Sequence, residues 1–208
     1  VLILIDAGFS PCLSRGNRLT RLLRGQRGTE EAVVSIVLTG ARVVVLDATL
    51  ASLPISEADL GLPWNWRIGP AARPVSDETY AALGFTPQGV GLRPFSVAHV
   101  AQPWRFARSP GDLIIRWTRR SRSLAADTWG AGDVPLAEET EAYEVEILEC
   151  AAVKRRLTTP TTSVFYSAAQ QTADWGAPLA PGQTLDIRIY QLSALFGRGA
   201  ARPVTLTF

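Results

Sequence analysis

Indole is the side chain in this sequence best suited to holding a ligand, because its flat face can stack on the apolar face of a sugar ring. Trp64, Trp66, Trp129 and Trp175 are the candidates. Trp64 and Trp66 stand two apart, which on a strand puts both rings on one side and makes a platform for a cell-surface glycan. The competing reading is packing in a core or at a subunit interface, where large aromatics concentrate. Exposure along one groove would favour the glycan; burial would favour packing.

Acid–base and metal chemistry find little material. His99 is the sole imidazole and falls in a proline-flanked stretch, a poor place for a serine triad. Glu138 and Glu139 could be imagined as glycosidase carboxylates, but neighbouring residues on a strand point apart. Such an enzyme needs two carboxyls facing one bond, about 5–10 Å apart. Asp127, Asp133, Glu138 and Glu139 match no EF-hand spacing and read as surface acids. One histidine with Cys12 and Cys150, one cysteine in each half, makes neither a conventional zinc site nor a disulfide framework; both thiols are expected to be free. No catalytic residue, cofactor or metal is implied, and the chain reads as a non-enzyme.

The 208 residues carry a formal charge of +2, with 47% apolar and 19% charged side chains. That is an ordinary globular composition with ample material for a core. Up to Gln102 there are nine basic and eight acidic residues, then twelve and eleven. Neither half is the basic body that nucleic-acid binding leads one to expect. Arg15, Arg18, Arg21, Arg24 and Arg27 recur by threes, but steps of three alternate faces on a strand, and nearby glycines disfavour a long helix. They read as surface or interface arginines. No apolar run reaches a membrane span. The chain lacks Met altogether and opens inside the apolar run Val1–Ile5, so it is expected to be a fragment of a longer polypeptide.

Short strands must position these residues. Val1–Ile5 reads as a buried strand and Asp6 to Pro11 as a loop. Ala32–Leu38 and Arg42–Leu46 carry a hairpin signal between them. Trp64, Trp66 and Ile68 alternate with Asn65 and Arg67 as a strand. Thr79–Phe85 is ambiguous, since Ser76-Asp77-Glu78 resembles a helix start while Thr86–Gly89 forces a turn. Leu92-Arg93-Pro94-Phe95 hands the chain to a second unit. There Leu113, Ile115 and Trp117 alternate with Ile114, Arg116 and Thr118. Tyr143, Val145 and Ile147 alternate with Glu144 and Glu146, and Leu185, Ile187 and Ile189 alternate with Asp186, Arg188 and Tyr190. Val153–Leu157 reads as a charged edge strand, Val164–Tyr166 as a short strand, and Ala168–Asp174 as a short helix. Ser121–Thr140 is a long polar loop. Seven or so strands in about 100 residues describe an antiparallel β-sandwich.

The order of Trp117, Tyr143–Ile147, Leu185–Ile189 and the Ser193 to Gly197 turn resembles a fibronectin type III module. It departs from that pattern at Leu185, where a tyrosine is usual, and at Gln191, where an inward apolar residue is usual. More specifically, the chain resembles the C-terminal part of the baseplate hub (tail tip) protein of alphaproteobacterial gene transfer agents and related long-tailed phages. The matching stretches are Arg21–Glu30, Val44–Asp47, Ile68–Ala71, Gln88–Phe95, Arg108–Leu113 and Ile189–Ser193. The resemblance implies a structural part of a virion or gene-transfer-agent tail tip, assembled in the bacterial cytoplasm as a homotrimer around the axial channel. Its expected partners are other tail and baseplate proteins and the host cell surface, and its expected role is tail-tip assembly with host attachment or DNA delivery. Some full-length relatives carry a glycosidase-like barrel earlier in the chain; these residues contain no such segment.

The expected fold is therefore all-β. Residues 1–100 form a β-rich hub-type domain and 101–208 a fibronectin type III-like sandwich, divided between about Pro94 and Trp104. Trp117, Tyr143, Val145, Ile147, Leu185, Ile187 and Ile189 should form the sandwich core. Glu144 and Glu146 should face outward, paired across the ladder with Lys154, Arg156 and Arg188.

Overall fold

The computed structural model describes residues 40–46, 48, 53–101, 111–123 and 134–207, with backbone placement alone for the strands within 2–20. Cys12, Arg21, Arg24, Arg27, the Ala32–Leu38 strand, Trp104, Asp127, Trp129 and Asp133 lie outside the described residues.

The first half is a set of small antiparallel pieces. Strands β1 (Leu2–Ile5) and β2 (Gly8–Pro11) pair with each other, so the expected loop before Pro11 is a strand. Strands β3 (Leu13–Arg15) and β4 (Arg18–Thr20) form a ribbon that takes in the first two of the spaced arginines. Strand β5 (Val43–Val45) adds to the free side of β1. Strands β6 (Trp64–Ile68) and β7 (Ala81–Phe85) make a second ribbon. The ambiguous Thr79–Phe85 stretch is thus extended: Asp77 spends its carboxylate on the Thr79 amide and hydroxyl, which closes a turn instead of starting a helix.

The second half is a two-sheet sandwich. Strand β8 (Ala98–Ala101) pairs with β9 (Leu113–Thr118), and β9 pairs with a later strand, β12 (Ser163–Tyr166). The facing sheet runs in the order β11 (Ala152–Thr159), β10 (Tyr143–Glu149), β13 (Thr184–Ser193), β15 (Arg202–Thr207), with short β14 (Gly197–Arg198) also on β13. Three strands ordered 12-9-8 over four ordered 11-10-13-15 is the fibronectin type III arrangement, and the fold is all-β. The expected division at residue 100 falls inside β8, and Val97, 1% exposed, already belongs to the core.

All seven expected core residues are buried in one cluster with Leu113, Ile115, Val164, Tyr166 and Leu206. Each such side chain contributes about 1.5–3 kcal/mol by leaving water. Trp117 meets Tyr143 edge to face, with centroids 5.2 Å apart. Gln191 does turn inward and is buried, where an apolar residue was the usual choice.

The outer face of the four-stranded sheet departs from expectation in depth. Glu146 lies opposite both Arg156 and Arg188 across its two ladders, yet it is only 2% exposed. Its carboxylate sits 3.2 Å from Arg156, 3.7 Å from Arg188 and 2.8 Å from Arg198, and accepts the Tyr190 hydroxyl. Arg198 reaches over from β14, stacks on the Tyr190 ring and also pairs with Glu144. Lys154 is absent from this cluster. The register slips between Ile147 and Leu148, which leaves Lys154 as the extra residue of a bulge, and it pairs with Glu149 at 2.9 Å.

Between β12 and β13 runs helix α1 (Ala168–Trp175), one residue longer than expected. Ser167 and Gln170 form its capping box and Gly176 ends it in the left-handed region. Gln171 is fully buried: its Nε2 donates to the carbonyls of Gly111 and Tyr166, and its Oε1 accepts the Leu179 amide. One side chain thereby ties three turns of backbone together at the sandwich edge. No helix among the described residues is long and apolar enough to cross a membrane.

Asp174 anchors the other end of α1. Arg155 grips it with two hydrogen bonds of 2.6 and 2.7 Å, and Tyr166 donates to it at 2.7 Å. The Arg155 bonds, chiefly, hold its carboxyl below the usual value against the opposing pull of burial. Burial, then the bond to Asp174, pushes the Tyr166 phenol up. A folded-state value below the unfolded one means stability that is present above about pH 4 and lost as pH falls through the folded value. Asp174→Asn is expected to cost about 1–3 kcal/mol at pH 7. In urea titrations that deficit should shrink as pH drops below 4. A deficit that stays constant to pH 2 would mean the charge contributes nothing.

Candidate interaction surface

The β6–β7 ribbon carries the sharpest surface feature of the described chain. Trp64 pairs with Phe85, Trp66 with Leu83, and Ile68 with Ala81. Cross-strand partners share a face, so one side of the ribbon bears six apolar side chains and no charge. The opposite side carries Asn65, Arg67, Ala82 and Gly84. The apolar side is open: Ile68 is 58% exposed, Leu83 53%, Phe85 47% and Trp64 36%.

Local chemistry explains why the ribbon holds this shape. Tyr80 lies so close over Gly69 that an added Cβ there would sit 2.5 Å from its ring. Its hydroxyl donates to the carbonyls of Pro70 and Arg73, while Arg67 donates to the Val75 carbonyl. The long connection between the strands is thereby folded back on itself. Trp64 and Trp66 stack, with centroids 5.6 Å apart and planes 21° from parallel. Beyond Phe85 the apolar surface continues into a groove of about 650 Å³ lined by Ile55, Leu60, Pro87, Val90 and Leu92, with Glu57 as its charged member.

Of the four tryptophans, the described residues separate Trp175 from Trp64 and Trp66. Trp64 and Trp66 share the ribbon face, and Trp129 lies outside the described residues. Trp175 belongs to the sandwich, packed against the core, with its Nε1 donating to Tyr166 at 2.8 Å and Lys154 over its ring. The carboxylates are committed elsewhere as well. Glu138, expected at the surface, is 9% exposed and held by Arg122 through bonds of 2.8 and 2.6 Å. Glu139 accepts from the Ser193 hydroxyl and the Ala194 amide, closing the turn after β13; hydrogen bonding, first from its own backbone amide, holds it below the usual carboxylate value against the pull of burial. His99 lies within β8 at φ 47° rather than in the linker.

Reasoning from sequence missed half of this surface. Ala81, Leu83 and Phe85 have the period-two signal, but Ala82 and Gly84 between them are too small to mark a polar side. The groove residues carried no signal, since Ile55, Leu60 and Val90 come from two loops that meet only in the fold.

No protein-family model matches the chain, and no curated protein does. Among solved structures it is similar to one titled "Structure of FN3tt mut", at 12% identity and a TM-score of 0.35 over 55% of this chain and 96% of that one. It is also similar to domains d3–d4 of the rat CD45 extracellular region, at 9% identity and a TM-score of 0.34 over 95% and 94%. A third is the spore cortex lytic enzyme SleM of Clostridium perfringens, at 12% identity and 0.33 over 64% of this chain and 36% of that one. At such scores the strand order, not the likeness, establishes the fold.

Proposed function

We propose that this chain is a structural, non-catalytic part of a phage-like tail tip, a baseplate or hub component assembled as a homotrimer with other tail proteins in a virion or gene-transfer-agent particle. The observation that carries the assembly role is the uncharged, largely exposed side of the β6–β7 ribbon that bears Trp64, Ile68, Leu83 and Phe85. A two-stranded ribbon is marginal by itself in water, and an exposed apolar face of this kind marks a contact with another protein surface. The sandwich is the folded body to which the ribbon is joined. The sequence resemblance supplies the particle.

Electron microscopy of the intact particle tests the placement: density for the sandwich at the tail tip is expected, and its absence there rejects the reading. Leu83→Asp tests the surface. It should weaken assembly at least thirtyfold, which corresponds to about 2 kcal/mol for a buried contact residue. Unchanged assembly in sedimentation experiments would remove the ribbon from the interface.

The second reading, a glycan-binding module, draws on the stacked Trp64–Trp66 pair and the exposure of Trp64. Stacking spends one indole face on the neighbour, leaving a narrow platform. Glycan-dependent quenching of tryptophan fluorescence that disappears in Trp64→Ala would favour it.

A further inference from the structure

The segment joining the ribbon to the sandwich is gripped along its length by two arginines that follow β9. Arg122 donates through Nη1 to the Leu92 carbonyl, and the same guanidinium holds Glu138 with two bonds and lies 5.1 Å from the centre of the Phe196 ring. Arg120 donates to the Ser96 hydroxyl at 3.4 Å and stacks over Phe95 at 5.1 Å. The Ala200 amide also donates to the Pro94 carbonyl, at 3.1 Å. Gly199 lets that approach happen, since a Cβ there would collide with the Pro94 oxygen. Val97 then enters the core.

These are specific contacts on a stretch whose prolines alone would make it a stiff spacer. Arg122 joins a buried carboxylate, an aromatic ring and the linker backbone. Glu138 has 1% of its side chain exposed, so Arg122 is held in place whether or not the linker is present. Its free donor is thereby aimed in advance at Leu92, as a bidentate arginine fork can be.

We infer that Arg120 and Arg122 form a clasp that fixes the Leu92–Ser96 linker, and with it the β6–β7 ribbon, in one orientation on the sandwich, and that opening the clasp lets the ribbon swing. The clasp is independent of what the ribbon binds. It decides only the direction in which the apolar face is presented.

Amide hydrogen exchange, followed by NMR on the full chain, tests this at the Ala200 amide, whose acceptor is the linker itself. Arg122→Ala alone would strand a buried carboxylate and could unfold the sandwich, so the informative variant is Arg122→Leu with Glu138→Leu. Apolar residues often replace a buried ion pair without loss of stability. In that double variant Ala200 should exchange at least tenfold faster while the ladder amides of β10 and β13 keep their rates, and the radius of gyration from X-ray scattering should rise. Unchanged Ala200 exchange over an intact sandwich overturns the clasp. So does equal acceleration of Ala200 and the ladder amides, which would make the pair a support of the sandwich and nothing more.

Discussion

Gln171→Ala should destabilise the sandwich by about 3–5 kcal/mol, although Gln171 is neither apolar nor charged. The substitution removes three hydrogen bonds, to Gly111, Tyr166 and Leu179, at a site fully closed to water. A buried backbone group left without its partner costs about 1–3 kcal/mol, and neighbouring losses do not add fully. Gln171→Met separates polarity from volume, because it fills the same space without the bonds. It should lose nearly as much in urea unfolding. If Met restores most of the stability, the site is held by packing and the hydrogen bonds are incidental.

Trp117→Ala is expected to cost about 3–5 kcal/mol, the range for a large aromatic cut from a core. Trp117 is 5% exposed and packs edge-on to Tyr143 between the sheets. Among the described residues its Nε1 has no hydrogen-bond partner, so Trp117→Phe discards an unpaired donor along with part of the ring. The phenylalanine variant should therefore lose clearly less than the alanine one. Equal losses would show that the indole N–H is paired in solution, and a loss under 1 kcal/mol for alanine would show that the ring is not part of the core.

The sandwich was legible in the sequence because strict alternation leaves no choice of face. Tyr143, Val145 and Ile147 can reach the core only if Glu144 and Glu146 turn away, and the same holds for Leu185–Ile189. What alternation does not encode is depth: Glu146 faces outward and is buried all the same, because Arg198 folds over it from a strand two residues long. Nor does alternation count past a bulge, which is why Lys154 missed its expected glutamate. The role of Gln171 was invisible for a related reason. Its three partners lie 5 to 60 residues away, and nothing local distinguishes a glutamine that plugs a corner from one on the surface. The ribbon was half legible: its first strand announces itself with two tryptophans, while its second hides between an alanine and a glycine.

The hairpin joining β10 and β11 turns on two residues, Cys150 and Ala151, since Glu149 pairs directly with Ala152. Both central residues have positive φ, 48° and 71°, the pattern for which asparagine and glycine are the usual choices. The left-handed region costs a side-chain-bearing residue roughly 1–2 kcal/mol, so this turn opposes closure of the hairpin it completes. The alignment of the strands is held instead by side chains, Arg156 and Arg188 on either flank of Glu146 and the inward row behind them. The tightest turn of the sheet therefore follows its register and does not set it.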